Sequence, residues 1–91
     1  MIIGKVSGTV VCTRKVDGLS GFKLLVIKKL DLARKETGDF VVAVDVVGAG
    51  HGETVLVVSG SSSRQTARTD KKPVDAAVIG IIDSVTLDKQ G

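Results

Sequence analysis

Apolar residues cluster along this chain in strand-length runs, and glycine or polar stretches divide one run from the next. From Ile2 to Thr13, the apolar positions Ile3, Val6, Val10 and Val11 are interrupted by Gly4 and Gly8. That pattern predicts a long first strand that bends or bulges at its glycines. Arg14 to Gly21 contains Asp17-Gly18 and Ser20-Gly21, which is turn chemistry, and Phe22 to Leu30 reads as a second strand. The two strands make a hairpin with a long loop. Asp31 to Asp39 is polar and predicts a connecting loop, although Ala33-Arg34-Lys35-Glu36 is mildly compatible with helix. Phe40 to Val47 follows as a third strand whose β-branched density predicts cover on both faces. Asp45, inside that run, needs a hydrogen-bonding partner.

The next stretch, Gly48-Ala49-Gly50-His51-Gly52-Glu53, has three glycines in five residues. Each carries an entropic cost of about 0.5–1 kcal/mol relative to alanine and in return permits positive φ and close backbone approach. Such a loop is built for one shape. Thr54 to Val58 is a fourth strand, and Ser59 to Arg68 predicts one or two helical turns with a capping serine. Thr69 to Pro73 reads as an exposed loop. Val74 to Leu87 carries the last strand or two, Ala77 to Ile82 and then Ser84 to Leu87, with Gly80 marking a bend. Five or six short strands with glycine-marked bends and one short helix describe an all-β fold, a small five-stranded closed barrel of the oligonucleotide/oligosaccharide-binding type.

At 91 residues the chain is a single domain, residues 1–91, with a modest core and little room for a buried active site of several residues. The hydrophobic share of 43% comes almost wholly from aliphatic residues, since the only aromatics are Phe22 and Phe40. So much apolar surface exceeds what one small core hides and predicts an oligomer. Thirteen basic against ten acidic residues give a charge of +3, scattered apart from Lys28-Lys29 and Lys71-Lys72, which supports a polyanion partner only weakly. The single cysteine, Cys12, excludes an intrachain disulfide, and its place after Val10-Val11 predicts a buried structural thiol. No stretch is long enough to span a membrane, and Met1-Ile2-Ile3-Gly4-Lys5 lacks the layout of a signal peptide, so the expected location is cytosolic.

Candidate chemistry is sparse. Gly48-x-Gly50-x-Gly52 differs from a dinucleotide fingerprint, which sets its third glycine one residue later and leads into a helix, whereas a strand follows here. His51 and Glu53 form a conceivable acid–base or metal pair, but one histidine and a distant cysteine cannot assemble a typical zinc site, and a loop-tip histidine is the simpler reading. Ser61-Ser62-Ser63-Arg64 lacks the surroundings of a nucleophile elbow. Asp45 and Asp83 have no second acid near them in sequence, so salt bridges or caps are expected rather than a catalytic pair. Single-stranded nucleic-acid sites stack bases on exposed rings; with no Trp or Tyr, and both Phe at strand starts where the core takes them, that platform is missing. No enzyme activity, cofactor or metal is expected.

Several segments in series resemble one known family. Ala43 through Leu56, with its Gly48-Ala49-Gly50-His51-Gly52-Glu53 loop, then Gly60-Ser61-Ser62-Ser63-Arg64, then Pro73 through Asp83, are similar to the vertex proteins of bacterial microcompartment shells, of the carboxysome and ethanolamine-compartment type. The opening agrees, with Met1 to Val6, Gly8 to Val11, Thr13, Lys15, Leu19 and Gly21 to Leu25 in family order. The resemblance covers nearly the whole chain and departs at Ser63, where the family often has alanine. It implies a cyclic homopentamer of small β-barrels at the five-fold vertices of a shell otherwise tiled by hexameric proteins. The subunit count of five comes from the resemblance; composition predicts only an oligomer. The family's glycine loop falls on Gly48, Ala49, Gly50, His51, Gly52 and Glu53, expected near the five-fold axis or a subunit interface, as are Ser61, Ser62 and Arg64. Two other readings stand beside it: a barrel that binds single-stranded nucleic acid, and an enzyme using His51 and Glu53 across an interface.

Overall fold

The computed structural model describes residues 1–70 and 74–88. Five strands, β1 (Ile2–Val10), β2 (Leu24–Leu30), β3 (Glu36–Asp45), β4 (Thr54–Ser59) and β5 (Ala76–Ile81), close into a barrel in the order β1-β2-β3-β5-β4. Every neighbouring pair is antiparallel except β3 and β5, which run parallel through only two pairs, Val44 with Ala77 and Asp45 with Val78. The predicted all-β closed barrel is what the chain forms.

Alternation along the strands sorts apolar residues into two clusters. Val6, Leu25, Ile27, Ala43, Val55, Val57, Ala76 and Val78 point into the barrel, joined by Ala49 from the glycine loop. On the outside, Phe22, Val44, Val58, Val74 and Ala77 make a second buried group with Leu19, Leu24, Val46 and Ile79 against it. The glycines of β1 act differently from one another. Near Gly8 the ladder to β2 shifts register after Val6, the bulge expected there. At Gly4 the ladders to β2 and β4 keep their register; a Cβ there would run into the Ile27 side chain and come within 2.9 Å of the Lys28 carbonyl. Ile79 is the extra residue where the β4–β5 ladder slips, beside Gly80.

The structure corrects several sequence expectations. β1 ends at Val10, so Val11 and Cys12 project into a loop and Cys12 is an exposed free thiol rather than a buried one. β2 starts at Leu24, after Phe22, and the loop before it holds a 3-10 turn, Asp17–Leu19. The stretch from Asp31 to Asp39 is not all loop, because β3 already begins at Glu36. A tight turn explains it: the Asp31 carboxylate accepts the amides of Ala33 at 2.8 Å and Lys35 at 3.0 Å, and Arg34 takes a left-handed φ of 63°. β3 stops at Asp45, and its faces are not both covered in the single chain, since Phe40 is 64% and Val42 38% exposed. Phe22 joins the core as expected, whereas Phe40 does not.

The predicted helix over Ser59–Arg68 is a 3-10 turn, Gly60–Arg64, followed by a hydrogen-bonded turn at Thr66–Asp70. Thr69, expected in an exposed loop, is fully buried, and its hydroxyl and amide are satisfied by those of Thr66. Lys71–Pro73 of that loop lie outside the described residues. Ser84–Leu87 forms no strand.

Candidate functional site

The glycine loop joins β3 to β4, and acidic residues at both of its ends shape it. Asp45, last in β3 and buried, accepts three amides on one oxygen: Val47 at 3.1 Å, Gly48 at 3.0 Å and Ala49 at 3.2 Å from Oδ1. This is the partner that the sequence demanded for a buried carboxylate, and it is supplied by backbone rather than by a cation. At the other end Glu53 Oε1 accepts the Gly50 amide at 2.5 Å, while the Glu53 amide donates to the Gly50 carbonyl at 3.2 Å. Two further bonds tie the loop to β1, from the Gly52 amide to the Val6 carbonyl at 2.9 Å and from the Val6 amide to the Glu53 carbonyl at 3.0 Å.

The glycines divide by role. Gly48 (φ 77°) and Gly52 (φ 84°) occupy the left-handed region that favours glycine. Gly50 does not, and a Cβ there would meet only Glu53 Oε1, at 3.2 Å. Ala49 turns inward to plug the main core, and His51 stands exposed at the tip as expected. The outcome is a loop of small residues held by hydrogen bonds at both of its ends. Glu53 is engaged by the Gly50 amide, and the described residues contain no group of three or more His, Cys, Asp or Glu placed to hold a metal.

The second candidate segment lies elsewhere. Gly60–Arg64 follows β4, whereas the glycine loop precedes it, so β4 separates them by about 17 Å of strand. Ser61 is exposed, Ser62 belongs to the same 3-10 turn, and Ser63 is fully buried with its hydroxyl 2.6 Å from the Gly60 carbonyl and 2.9 Å from that of Val74. Arg64 Nη1 donates to the same Val74 carbonyl at 2.9 Å. These residues brace the long connection into β5 rather than cap a helix. Sequence reasoning missed Thr66 and Thr69, whose mutual bonding carries no motif, and Arg68, whose guanidinium stands 5.2 Å over the Phe22 ring.

Comparisons with known proteins agree on one family. The model described as "Ethanolamine utilisation protein EutN/carboxysome" matches residues 1–83. The bacterial microcompartment shell vertex protein GrpN of Rhodospirillum rubrum is 52% identical over 93% of this chain and 96% of its own length. The carboxysome shell vertex protein CcmL of Gloeobacter violaceus is 47% identical over 99% of this chain and 90% of its own. Among solved structures, the GrpN pentameric microcompartment shell protein from Rhodospirillum rubrum superposes with a TM-score of 0.87 at 49% identity, covering 96% of this chain and all of that one. A closed five-stranded barrel, the glycine loop held by Asp45 and Glu53, and near-full-length identity to shell vertex proteins meet in one conclusion: the chain belongs to the EutN/carboxysome family.

Proposed function

We propose that this protein is a structural subunit of a bacterial microcompartment shell, that residues 1–91 act as one domain, and that five copies form a ring capping a five-fold vertex. One observation carries the reading: proteins about half identical over nearly the whole chain are named shell vertex proteins, and a solved one of the same fold is pentameric. The physical character of the chain supports it. Phe40, Val42, Val11 and Leu32 are large apolar residues left exposed on the single barrel, the surplus that a neighbouring subunit covers.

The ring borders hexameric shell proteins and sits in the shell within the cytoplasm, with neither membrane nor nucleic acid as partner. Phe40 is one exposed ring, and the cleft it lines sets two carboxylates, Glu36 and Asp39, against one cation, Lys28, already paired with Glu36 at 3.4 Å, a poor setting for phosphates. The protein needs no cofactor and is not an enzyme; its engaged Glu53 supports that view. Gly48, Ala49, Gly50, His51, Gly52 and Glu53 face the five-fold axis or a neighbouring subunit, and Ser61, Ser62 and Arg64 lie toward another contact. A cyclic ring joins two different faces of each subunit, so two contact segments at opposite ends of β4 suit it.

Native mass spectrometry of the purified chain tests the ring. A mass of five subunits is expected; a monomer across the accessible concentration range, or a hexamer, overturns the vertex assignment.

A further inference from the structure

One row of side chains on the outside of the barrel sets two lysines face to face. Lys5 of β1 and Lys28 of β2 are direct partners in the antiparallel ladder. Their neighbours Val6 and Ile27 point into the core, so strand alternation turns both lysines outward, and both are exposed. The row continues to Thr54 of β4, opposite Lys5, and to Phe40 of β3, opposite Lys28. Like charges directly across a ladder destabilise it. Lys28 has a carboxylate of its own, Glu36 at 3.4 Å, whereas none among the described residues lies within 4 Å of the Lys5 ammonium. Asp83, which follows the Ile82 amide bonded to the Thr54 carbonyl, is exposed and also stays outside that distance.

Apolar residues border the row on both sides. Two residues along the strands in one direction, Ile3 stands opposite Leu56, in a cleft shared with Leu30, Leu32 and Met1. In the other direction Val26 stands opposite Val42. A polyanion such as a phosphate chain is held by a run of cations and gains nothing from apolar borders. A carboxylate on an apolar protein surface matches both features, since it offsets the repulsion between the lysines while the bordering side chains pack. The row also adjoins the glycine loop, because Thr54 directly follows Glu53.

We propose that this outer face, centred on Lys5, is where a second copy of the chain docks in the ring, seating one of its carboxylates against Lys5 and Lys28. A protein of the same fold and 49% identity is pentameric, so a second copy is the occupant, and in that respect the contact rests on the ring proposed above. Head-to-tail closure brings a different face of the neighbour to this one. Exposed carboxylates stand ready outside the row, Asp17 on the loop between β1 and β2 and Asp70 on the connection between β4 and β5.

The test reverses the charge of Lys5 in the full chain and reads subunit number by native mass spectrometry over a dilution series. Within one barrel, K5E replaces a like-charge pair by an opposite-charge one with Lys28, so the fold is kept, and slow amide exchange at Ile27 and Val55 reports it. At the contact it sets carboxylate against carboxylate. The concentration at which the ring half dissociates should rise at least about 10-fold in K5E. K5M, which removes the charge alone, should show a smaller rise, and K23E, with the same change in net charge outside this row, none. Rings of five that dissociate alike in K5E, K5M and the unmodified chain overturn the docking face and leave the ring standing. Equal weakening by K5E and K23E traces the effect to net charge and also overturns the face. An assembly of another size that K5E alone dissociates supports the face and overturns the pentamer, and an unmodified chain that stays monomeric throughout overturns both.

Discussion

The Oδ1 atom of Asp45 lies 3.0 Å from the amide nitrogen of Gly48, and the amides of Val47 and Ala49 converge on the same oxygen. One buried carboxylate thus satisfies three consecutive donors that no strand partner reaches. Truncating it in D45A orphans these donors, of which the Ala49 amide sits deepest, and should cost about 2–4 kcal/mol, since each buried unsatisfied group costs about 1–3 kcal/mol. D45N retains an acceptor oxygen at the same place and should lose less than half of that. Urea unfolding at one fixed protein concentration compares them; equal losses in the two variants would show that charge, not geometry, matters here.

Two glycines of β1 should respond oppositely to alanine. At Gly4 a methyl collides with Ile27 and with the backbone carbonyl of Lys28, which cannot swing aside. G4A should destabilise by about 1–3 kcal/mol, the range for overpacking. At Gly8 the nearest atoms to a new Cβ belong to Val26 at 3.7 Å, an ordinary contact. G8A should be neutral or stabilise by up to about 1 kcal/mol, because the unfolded chain loses freedom. Thermal unfolding of the pair gives the answer, and a G8A loss as large as that of G4A would contradict the close-approach role assigned to Gly4.

These glycines also show how much of the molecule was legible in its sequence. Gly8 and Gly80 announce ladder irregularities because an extra residue in a strand needs little else, and the apolar runs around them mark all five strands. Gly4 looks the same in sequence yet serves packing, since only the fold brings Ile27 opposite it. The early start of β3 was hidden because Glu36, Thr37 and Asp39 are exposed there, so no alternation betrays the strand; local bonds of Asp31 make the turn instead. Cys12 misled for a related reason. Val10-Val11-Cys12 is an apolar run, but the strand stops at Val10 and leaves Val11 89% exposed. The composition signalled surplus apolar surface without its location. The candidate loop was legible as a shape, through its glycines, but the pairing of Glu53 with Gly50 was not, and Ser63 passed for part of a cap when it is a buried brace.

Gly50 separates assembly from folding. It has ordinary backbone angles for any residue, and an added side chain first meets a carboxylate oxygen of Glu53, which can move. G50V should keep the barrel, with stability within about 1 kcal/mol of the unmodified chain. It should prevent ring formation if the loop faces the axis or a neighbour. Native mass spectrometry beside far-UV circular dichroism reads both; intact five-membered rings of G50V would remove the loop from the contact. Gly48 and Gly52 are unsuitable for this purpose, because their positive φ would strain any replacement.

The Val74 carbonyl receives two donors, the Ser63 hydroxyl and Arg64 Nη1, each at 2.9 Å. Either alone can satisfy it, so the two side chains should act redundantly. S63A leaves Arg64 in place and should cost about 0.5–1.5 kcal/mol, the net worth of one hydrogen bond, and R64L should cost a similar amount while Ser63 remains. The double variant leaves the carbonyl with neither donor and should lose more than the sum, by about 0.5–1 kcal/mol or more. That excess, measured by a double-mutant cycle in urea at fixed concentration, is the signature of a shared acceptor. Strict additivity would mean that Ser63 acts chiefly through the Gly60 carbonyl, 2.6 Å away, and that the brace into β5 belongs to Arg64 alone.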